Sequence, residues 1–341
     1  MPFYNYSAIM SSMYEASFYK QLESGQVKCQ LCNHFCLIDE GRRGICGVRG
    51  NRDGKLYSLN YGKLIAQNID PIEKKPFFHF LPRSTAYSIS TVGCNFGCEF
   101  CQNSEISQAS KNGGAVIGLE VSPEEVVVAA KEFDCKSIAY TYVEPTIFYE
   151  FAREVSLLAK KEGIRNIWVS NGFMAREVLE SMIEEGILDA INVDLKSFSA
   201  DFYLKKCKAK IEPVKENLKF LAKSPVWLEV TTLLIPNVND SDSEIREAAK
   251  FVLELGDDIP WHVSAFHPAY KMLDVSITSA ETLVRAREIG LDVGLKYVYT
   301  GNIPGLEGEN TYCPKCGFDI NREYDCGECA GCGTKISGVY I

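Results

Sequence analysis

The sequence of 341 residues has no long apolar run, no excess of positive charge and only four histidines. No stretch approaches the roughly 20 apolar residues that a helix needs to cross a bilayer. The amino-terminal segment also lacks a basic region followed by an apolar core, so we expect no signal peptide and no membrane partner. The net charge of −9 argues against a broad phosphate-binding face. These absences predict a cytoplasmic protein that is not specialised for nucleic acid.

Cysteine is the component present in excess, with 14 residues. Because the cytosol keeps thiols reduced, metal binding is a better interpretation than a disulfide framework. Three groups contain most of them: Cys29, Cys32, Cys36 and Cys46; Cys94, Cys98 and Cys101; and Cys313, Cys316, Cys329 and Cys332. Cys326 lies within the last group, and Cys135 and Cys207 are predicted to be buried small hydrophobes.

From residue 85 onward, apolar segments with strand character alternate with amphipathic segments with helix character. Predicted strands cover residues 86–92, 137–143, 165–170, 190–195, 226–234, 261–266 and 295–299. Such alternation forms a parallel sheet. The sequence therefore predicts an α/β fold, a partial (β/α)6-type parallel TIM-like barrel with small cysteine-rich metal modules at both ends.

Composition divides the chain into three predicted units. Residues 1–84 form an amino-terminal cysteine-rich module and connector, 85–305 the core barrel, and 306–341 a module like a zinc ribbon. Within the first unit, residues 1–26 are predicted to be weakly helical. Residues 70–76, in which two prolines bracket charged residues, are predicted to be an extended connector.

Polar residues follow the predicted strands at their carboxyl ends. The cysteines of 94–101 follow the first strand, Glu144 the second, Asn171-Gly172 the third, and Asp194 and Lys196 the fourth. His267 follows the sixth strand. Active sites of parallel barrels lie at these strand ends, so one shared pocket is expected.

Residues 94–101 contain the most specific pattern, three cysteines spaced C-x3-C-x2-C. Thiolates are soft ligands that suit iron–sulfur clusters and zinc. A cubane [4Fe–4S] cluster held by three cysteines would keep one iron without a protein thiolate, which is what a reactive site needs. The alternatives are a zinc site with a fourth ligand elsewhere, or three unrelated thiols.

With Phe100 as the aromatic residue, this loop resembles the C-x3-C-x-aromatic-C motif of the radical S-adenosylmethionine (radical SAM) superfamily. Residues 141–146 resemble its GGE-type motif, 170–173 its third-strand segment, and 194–196 the D-x-K motif of glycyl-radical-enzyme activases such as pyruvate formate-lyase activating enzymes. The whole chain resembles the radical SAM enzymes of the AmmeMemoRadiSam system in residues 70–76, 261–262, 266–271 and 299–302.

The resemblance implies one-electron cleavage of S-adenosylmethionine at a [4Fe–4S] cluster to a 5′-deoxyadenosyl radical, which takes hydrogen from a substrate. It implies that Cys94, Cys98 and Cys101 hold the cluster. The candidate cofactor-binding residues are Tyr142, Glu144, Asn171, Gly172, Asp194, Lys196 and His267.

Each of these residues also has a plain structural interpretation. Glu144 is expected to accept from the methionine ammonium, but it could be an exposed strand-end carboxylate. Asn171 could contact the ribose or carboxylate, or only form a turn. Asp194 needs a cation, for which Lys196 is a candidate. His267 and Lys271 are candidates for substrate contacts, although a single histidine is often structural.

The two outer cysteine groups are long enough to surround a metal. The carboxy-terminal group has a zinc-ribbon spacing, and zinc is expected there, although Cys326 keeps a cluster possible. For the amino-terminal group, zinc and an auxiliary iron–sulfur cluster are equally favoured.

Three functions follow. The main one is a radical SAM enzyme acting on an unidentified small molecule or protein, with a ferredoxin- or flavodoxin-type electron donor. The second is a glycyl-radical-enzyme activase, and the third is a non-catalytic zinc scaffold that binds a protein or RNA.

Overall fold

The computed structural model describes residues 14–320 and 327–340. Seven short strands form its amino-terminal part: β1 (Tyr14–Glu15), β2 (Tyr19–Gln21), β3 (Val27–Cys29), β4 (Leu37–Ile38), β5 (Arg49–Arg52), β6 (Lys55–Ser58) and β7 (Lys63–Leu64). They make two small sheets, β1-β6-β5 and β2-β3-β4, while β7 pairs with β10 (Leu119–Glu120).

The weak helix predicted over residues 1–26 is wrong for residues 14–26, where β1 and β2 lie, and its first half falls outside the described residues. The reason is long-range pairing. Tyr14 is opposite Ser58 in the β1–β6 ladder, and its ring stacks on Tyr61 with 3.9 Å between ring centroids. Contacts made some 45 residues away are not encoded in local helix propensity.

The centre of the molecule is an eight-stranded sheet. Its strands are β8 (Ala66–Pro71), β9 (Thr85–Ser90), β11 (Ser137–Tyr140), β12 (Arg165–Ser170), β13 (Ala190–Asp194), β14 (Trp227–Leu234), β15 (Trp261–Ala265) and β16 (Val298–Gly301), in that spatial order. All neighbours from β9 to β16 are parallel, and β8 is antiparallel to β9. The predicted parallel α/β architecture is confirmed. Strands β8 and β16 are the two edges of the sheet and do not pair with each other, so the barrel is open.

Strand β8 is the part of this sheet that the sequence did not predict. The connector expected at residues 70–76 begins inside it, because Ala66–Pro71 pairs along the whole length of β9. This edge strand has no clear apolar alternation, since Ile69 is exposed and Asp70 is buried.

In the part of the chain that the structure describes, six helices of nine residues or more follow the strands: α2 (Pro123–Glu132), α3 (Tyr149–Lys161), α4 (Arg176–Glu184), α6 (Glu212–Leu221), α7 (Asp242–Leu255) and α8 (Ala280–Val293). Shorter turns are α1 (Ser104–Ser107), α5 (Ala200–Phe202), four 3₁₀ segments (Ile72–Lys74, Lys111–Gly113, Pro145–Phe148 and Glu307–Glu309) and a π segment (Tyr203–Cys207). The short strands β17 (Thr311–Tyr312) and β18 (Asp319–Ile320) pair near the carboxyl end. Within the described ranges, every helix is too short or too polar to span a membrane.

A buried carboxylate fixes the segment that precedes β9 inside the barrel. Glu229 on β14 accepts hydrogen bonds from the backbone amides of Phe78 (3.1 Å) and His79 (2.9 Å) and from the indole of Trp227 (3.0 Å). Its Oε2 is 2.6 Å from Nε2 of His262. Burial acts to raise the pKa of Glu229, but the hydrogen bond and charge of His262 outweigh it and bring that pKa below its usual value.

Replacing Glu229 with alanine is expected to reduce the free energy of unfolding by about 3–5 kcal/mol, because several buried donors lose their acceptor together. Urea denaturation measures this effect. The pKa of Glu229 is lowered in the fold, so its contribution is present above the unfolded pKa and is lost as pH falls through the folded one. The difference between wild type and Glu229→Ala should therefore shrink below pH 4.5. Exposed Glu216→Ala serves as the control, and an equally stable Glu229→Ala would contradict the prediction.

Candidate active site and cysteine clusters

A cavity of about 1020 Å³ lies at the carboxyl ends of the parallel strands. Most of the predicted site residues line it: Cys94, Cys98, Cys101, Tyr142, Glu144, Asn171, Asp194 and Lys196. They follow the ends of four strands, and the outermost of them, Cys94 and Lys196, are 102 residues apart in sequence. Gly172 and His267 are not among its lining residues, and His267 is exposed, with Nε2 3.3 Å from the carbonyl oxygen of Asn302.

The cysteine loop after β9 closes tightly around its three sulfurs. Gly93 has φ +101°, and a Cβ there would lie 2.8 Å from Cγ1 of Val48, so a side chain does not fit. Cys98 is buried, and Cys94 and Cys101 are half-buried. Burial raises the pKa of Cys94 to about 12. Metal coordination deprotonates such thiols outright, and three enclosed soft donors fit the predicted [4Fe–4S] cluster.

Aromatic and backbone contacts hold the same loop from outside. Phe96 and Phe100 are buried, as expected for residues that keep water from a cluster. The amides of Gly97 and Glu99 donate to the carbonyls of Cys207 and Lys206, at 2.9 Å each. A hydrogen bond with Cys207, together with burial, raises the pKa of Cys98. The π segment is therefore part of the support of the cysteine loop.

Glu144 is buried and already holds two strand ends together. Its Oε1 accepts from Thr146 N (3.1 Å), Thr146 Oγ1 (2.5 Å) and Ser170 Oγ (2.9 Å), and its Oε2 accepts from Asn171 N (2.7 Å). Burial raises its pKa, although these hydrogen bonds act in the opposite direction. Each carboxylate oxygen offers about two acceptor positions, so Oε2, which accepts one hydrogen bond, keeps the capacity for one further donor.

Asn171 joins the third strand end to the cysteine loop. Its Nδ2 donates to Oδ1 of Asn95 at 2.7 Å, and its own Oδ1 accepts from Phe173 N at 3.0 Å. The next residue, Gly172, has φ +69°, and a Cβ there would be 2.7 Å from Cγ1 of Val193. Asn171 thus forms a turn and lines the cavity at once.

Asp194 and Lys196 form an ion pair of 3.0 Å at the end of β13. Burial acts to lower the pKa of Lys196, but Asp194 and the nearby Cys98 outweigh it, and the pKa is raised. The lysine therefore stays charged next to the cysteine loop, and it is the cation that the sequence suggested for Asp194.

Tyr142 contacts Asp70 and Lys75, which the sequence did not indicate as site residues. It adopts φ +64°, and its hydroxyl donates to Asp70 at 2.5 Å. Asp70 also accepts from Lys75 at 2.6 Å, and the Lys75 ammonium lies 4.3 Å from the Tyr142 ring centroid. Burial and Asp70 raise the pKa of Tyr142 to about 12. Lys75 lines the cavity. In the sequence it lies among charged residues between two prolines, within the segment of residues 70–76 that carries the family resemblance.

Further polar residues line the cavity beyond the cysteine loop: Thr231, His262, Ser264 and Thr300. His262 and Thr300 lie in segments that carry the family resemblance, whereas no motif pointed to Thr231 and Ser264.

The outer cysteine groups have different geometries. In the carboxy-terminal group, the four sulfurs lie within 4.8 Å of one another, and Cys326 falls outside the described residues. In the amino-terminal group, Cys29, Cys32, Cys36 and Cys46 line one small cavity. The first arrangement suits a single metal ion; the identity of that ion stays a prediction.

Comparison with known proteins gives a consistent family. A model of the radical SAM superfamily matches residues 88–252, from the second half of β9 to most of α7. The chain is 45% identical to the uncharacterized protein MJ0808 of Methanocaldococcus jannaschii over 96% of this chain and 100% of that protein. It is 24% identical to the pyruvate formate-lyase 1-activating enzyme of Escherichia coli K12 over 61% of this chain and 89% of that enzyme.

Among solved structures, a radical SAM methyltransferase from Sphaerobacter thermophilus is similar with a TM-score of 0.49 and 19% identity, covering 63% of this chain and 66% of that one. The matched region of the family model contains the cysteine loop and the strand ends that carry Glu144, Asn171 and Asp194. Residues 88–252 of this chain form a domain of the radical SAM superfamily.

Proposed function

We propose that the protein is an enzyme that cleaves S-adenosylmethionine reductively and uses the resulting radical on an unidentified small-molecule or protein substrate. The observation that carries this proposal is the single cavity lined by the three loop cysteines, Glu144 and the Asp194–Lys196 pair. Members of this superfamily are generally enzymes, and membership implies a [4Fe–4S] cluster and S-adenosylmethionine.

When bound, the cluster supplies one electron that breaks the sulfur–C5′ bond of S-adenosylmethionine, giving methionine and a 5′-deoxyadenosyl radical. Cys94, Cys98 and Cys101 would hold it. The protein then has to orient the cofactor and exclude water. Buried Phe96 and Phe100 enclose the loop for that purpose.

The groups around the loop suit the two ends of S-adenosylmethionine. Glu144 would accept from the methionine ammonium, because its Oε2 has spare acceptor capacity. Asn171 would donate to the carboxylate or the ribose. Lys196 would carry positive charge beside the cysteine loop, with Asp194 fixing its position at 3.0 Å.

The rest of the cavity would take the substrate. The whole cavity has a volume of about 1020 Å³. Ligand sites usually have about 300–1,000 Å³, so this cavity is larger than one cofactor needs. Thr231, Ser264 and His262 line this part and offer polar contacts. A ferredoxin- or flavodoxin-type protein would deliver the electron.

Anaerobic incubation of the iron-reconstituted protein with S-adenosylmethionine and dithionite tests this proposal. We expect 5′-deoxyadenosine and methionine in equal amounts, quantified by mass spectrometry. Cys135→Ala, which removes a buried thiol outside the three groups, should produce as much nucleoside as wild type. A protein that carries iron and sulfide but forms no nucleoside would contradict the proposal.

A further inference from the structure

We propose that Cys29, Cys32, Cys36 and Cys46 hold an auxiliary iron–sulfur cluster, and not a single zinc ion, beside the radical SAM site. This inference goes beyond the proposed function and does not depend on it. The four cysteines come from β3, the loops around β4 and the loop before β5, and all of them line one small cavity. Cys29 and Cys46 are buried, and Cys32 and Cys36 are half-buried.

The spacing of the sulfurs distinguishes the two metals. Tetrahedral zinc with bonds of about 2.3 Å requires thiolates about 3.8 Å apart. The carboxy-terminal group has this spacing, with 3.7 Å between Cys313 and Cys332 and 3.6 Å between Cys316 and Cys329. In the described parts of the chain, that group is the one set of three or more ligand atoms that all lie within 4.8 Å of each other.

No three sulfurs of the amino-terminal four form such a compact set, and neither do those of Cys94, Cys98 and Cys101. In a cubane each thiolate binds a different iron at a different corner, so its cysteine sulfurs lie further apart than around one ion. The amino-terminal group therefore shares with the cysteine loop of residues 94–101 the lack of the compact spacing that a single ion requires.

The lining of this cavity supplies what a buried anionic cluster needs. Leu31, Ile38 and Ile147 are apolar lining residues. Two lining residues carry buried N–H groups without a hydrogen-bond partner, Nε of Arg49 and Nδ2 of Asn95. Buried donors in native proteins are almost always satisfied. Hydrogen bonds to cluster sulfurs would satisfy both, and such bonds tune iron–sulfur clusters.

Arg49 also provides the charge. Its side chain is 2% exposed, and its two terminal nitrogens pair with Glu150 at 2.9 and 2.8 Å. These bonds orient the guanidinium and use only its terminal N–H groups, so Nε remains for the cavity. A cationic donor of this kind is well suited to thiolates and sulfides.

The proposed cluster would lie against elements that position the cofactor. His34 Nε2 is 2.8 Å from the carbonyl oxygen of Asn95, which follows Cys94 directly. The Asn33 amide donates to the carbonyls of Phe173 and Met174, at 3.2 and 2.7 Å. Metal binding at the four cysteines would therefore also stabilise the loop that contains Asn171.

Metal analysis of the full-length protein tests the inference, starting from a variant in which Cys94, Cys98 and Cys101 are all alanine. After anaerobic reconstitution with iron and sulfide, we expect this variant to retain about four irons and four sulfides per chain, since one cubane remains. Reduction with dithionite should give the electron paramagnetic resonance signal of an iron–sulfur cluster. No site for the radical reaction remains, so the result is independent of the proposed function.

Two further substitutions assign the remaining iron. Adding Cys32→Ala and Cys36→Ala should remove it, whereas adding Cys316→Ala and Cys332→Ala to the same background should leave it in place. Zinc without iron in the triple-alanine variant would overturn the proposal. Iron that is lost with Cys316 and Cys332, but not with Cys32 and Cys36, would overturn it as well.

Discussion

Alanine in place of Cys94, Cys98 and Cys101 is expected to reduce the formation of 5′-deoxyadenosine at least about 10³-fold, equivalent to about 4.1 kcal/mol in activation free energy. The three sulfurs line the cavity next to Glu144 and Lys196. The enclosed loop presents no other thiol from its own residues, so the electron would have no route to S-adenosylmethionine. Anaerobic turnover with dithionite, followed by mass spectrometry, measures the effect.

A misfolded variant would also lose the formation of 5′-deoxyadenosine. The experiment therefore includes a measurement of whether the triple variant is folded. The loop is supported by backbone bonds from Gly97 and Glu99 to the π segment, which do not involve the three sulfurs. The melting temperature of the triple variant should therefore stay close to that of the reconstituted Cys135→Ala protein, once the stability that the lost metal contributes is taken into account. Nucleoside formation at the wild-type rate by the triple variant would exclude the assigned role of these cysteines.

The sequence predicts the arrangement of the active site for a topological reason. In a parallel sheet, every carboxyl strand end lies at the same edge. Once the strand–helix alternation was recognised, Glu144, Asn171 and Asp194 had to be neighbours of the cysteine loop. The pairing of Asp194 with Lys196 was accessible for a similar reason, because two residues at one strand end share a local environment.

Contacts between distant segments were not accessible in this way. The bond of Tyr142 to Asp70 spans 72 residues and depends on the edge strand β8. The same holds for Cys207, which was predicted as a buried hydrophobe and is buried, but which also contacts Cys98. For His267, a position after a strand did not predict a place in the cavity, because the residue is exposed and does not line it.

The sequence alone could not decide which metal the cysteines of residues 29–46 bind. Cysteine spacing along the chain allowed zinc or a cluster at residues 29–46, since both need four thiolates within a short segment. Only the separation of the sulfurs in space distinguishes a compact group such as Cys313 and its partners from a wider one. Such a distance depends on how β3 to β5 pair, which no local pattern encodes.

Glu144→Gln is expected to weaken binding of S-adenosylmethionine by about 10²-fold, equivalent to about 2.7 kcal/mol. The amide has nearly the same shape but no charge, so the charge-assisted bond to the methionine ammonium is lost. The substitution also places an NH₂ group against existing donors, because Glu144 accepts from Thr146, Ser170 and Asn171. Anaerobic calorimetry of the reconstituted protein with S-adenosylmethionine measures the affinity.

Two control variants separate charge from architecture. Ser170→Ala removes one of the bonds to Glu144 but keeps the carboxylate, so its affinity should fall only about fivefold, in line with about 1 kcal/mol for a single hydrogen bond. Exposed Glu184→Gln is the matched amide substitution outside the site and should bind S-adenosylmethionine like wild type.

If Glu144→Gln bound as tightly as Glu184→Gln, the carboxylate would be a structural link between β11 and β12 alone. If Ser170→Ala were as weak as Glu144→Gln, the loss would come from the displaced strand ends. Only a large loss confined to Glu144→Gln assigns the methionine ammonium to this residue.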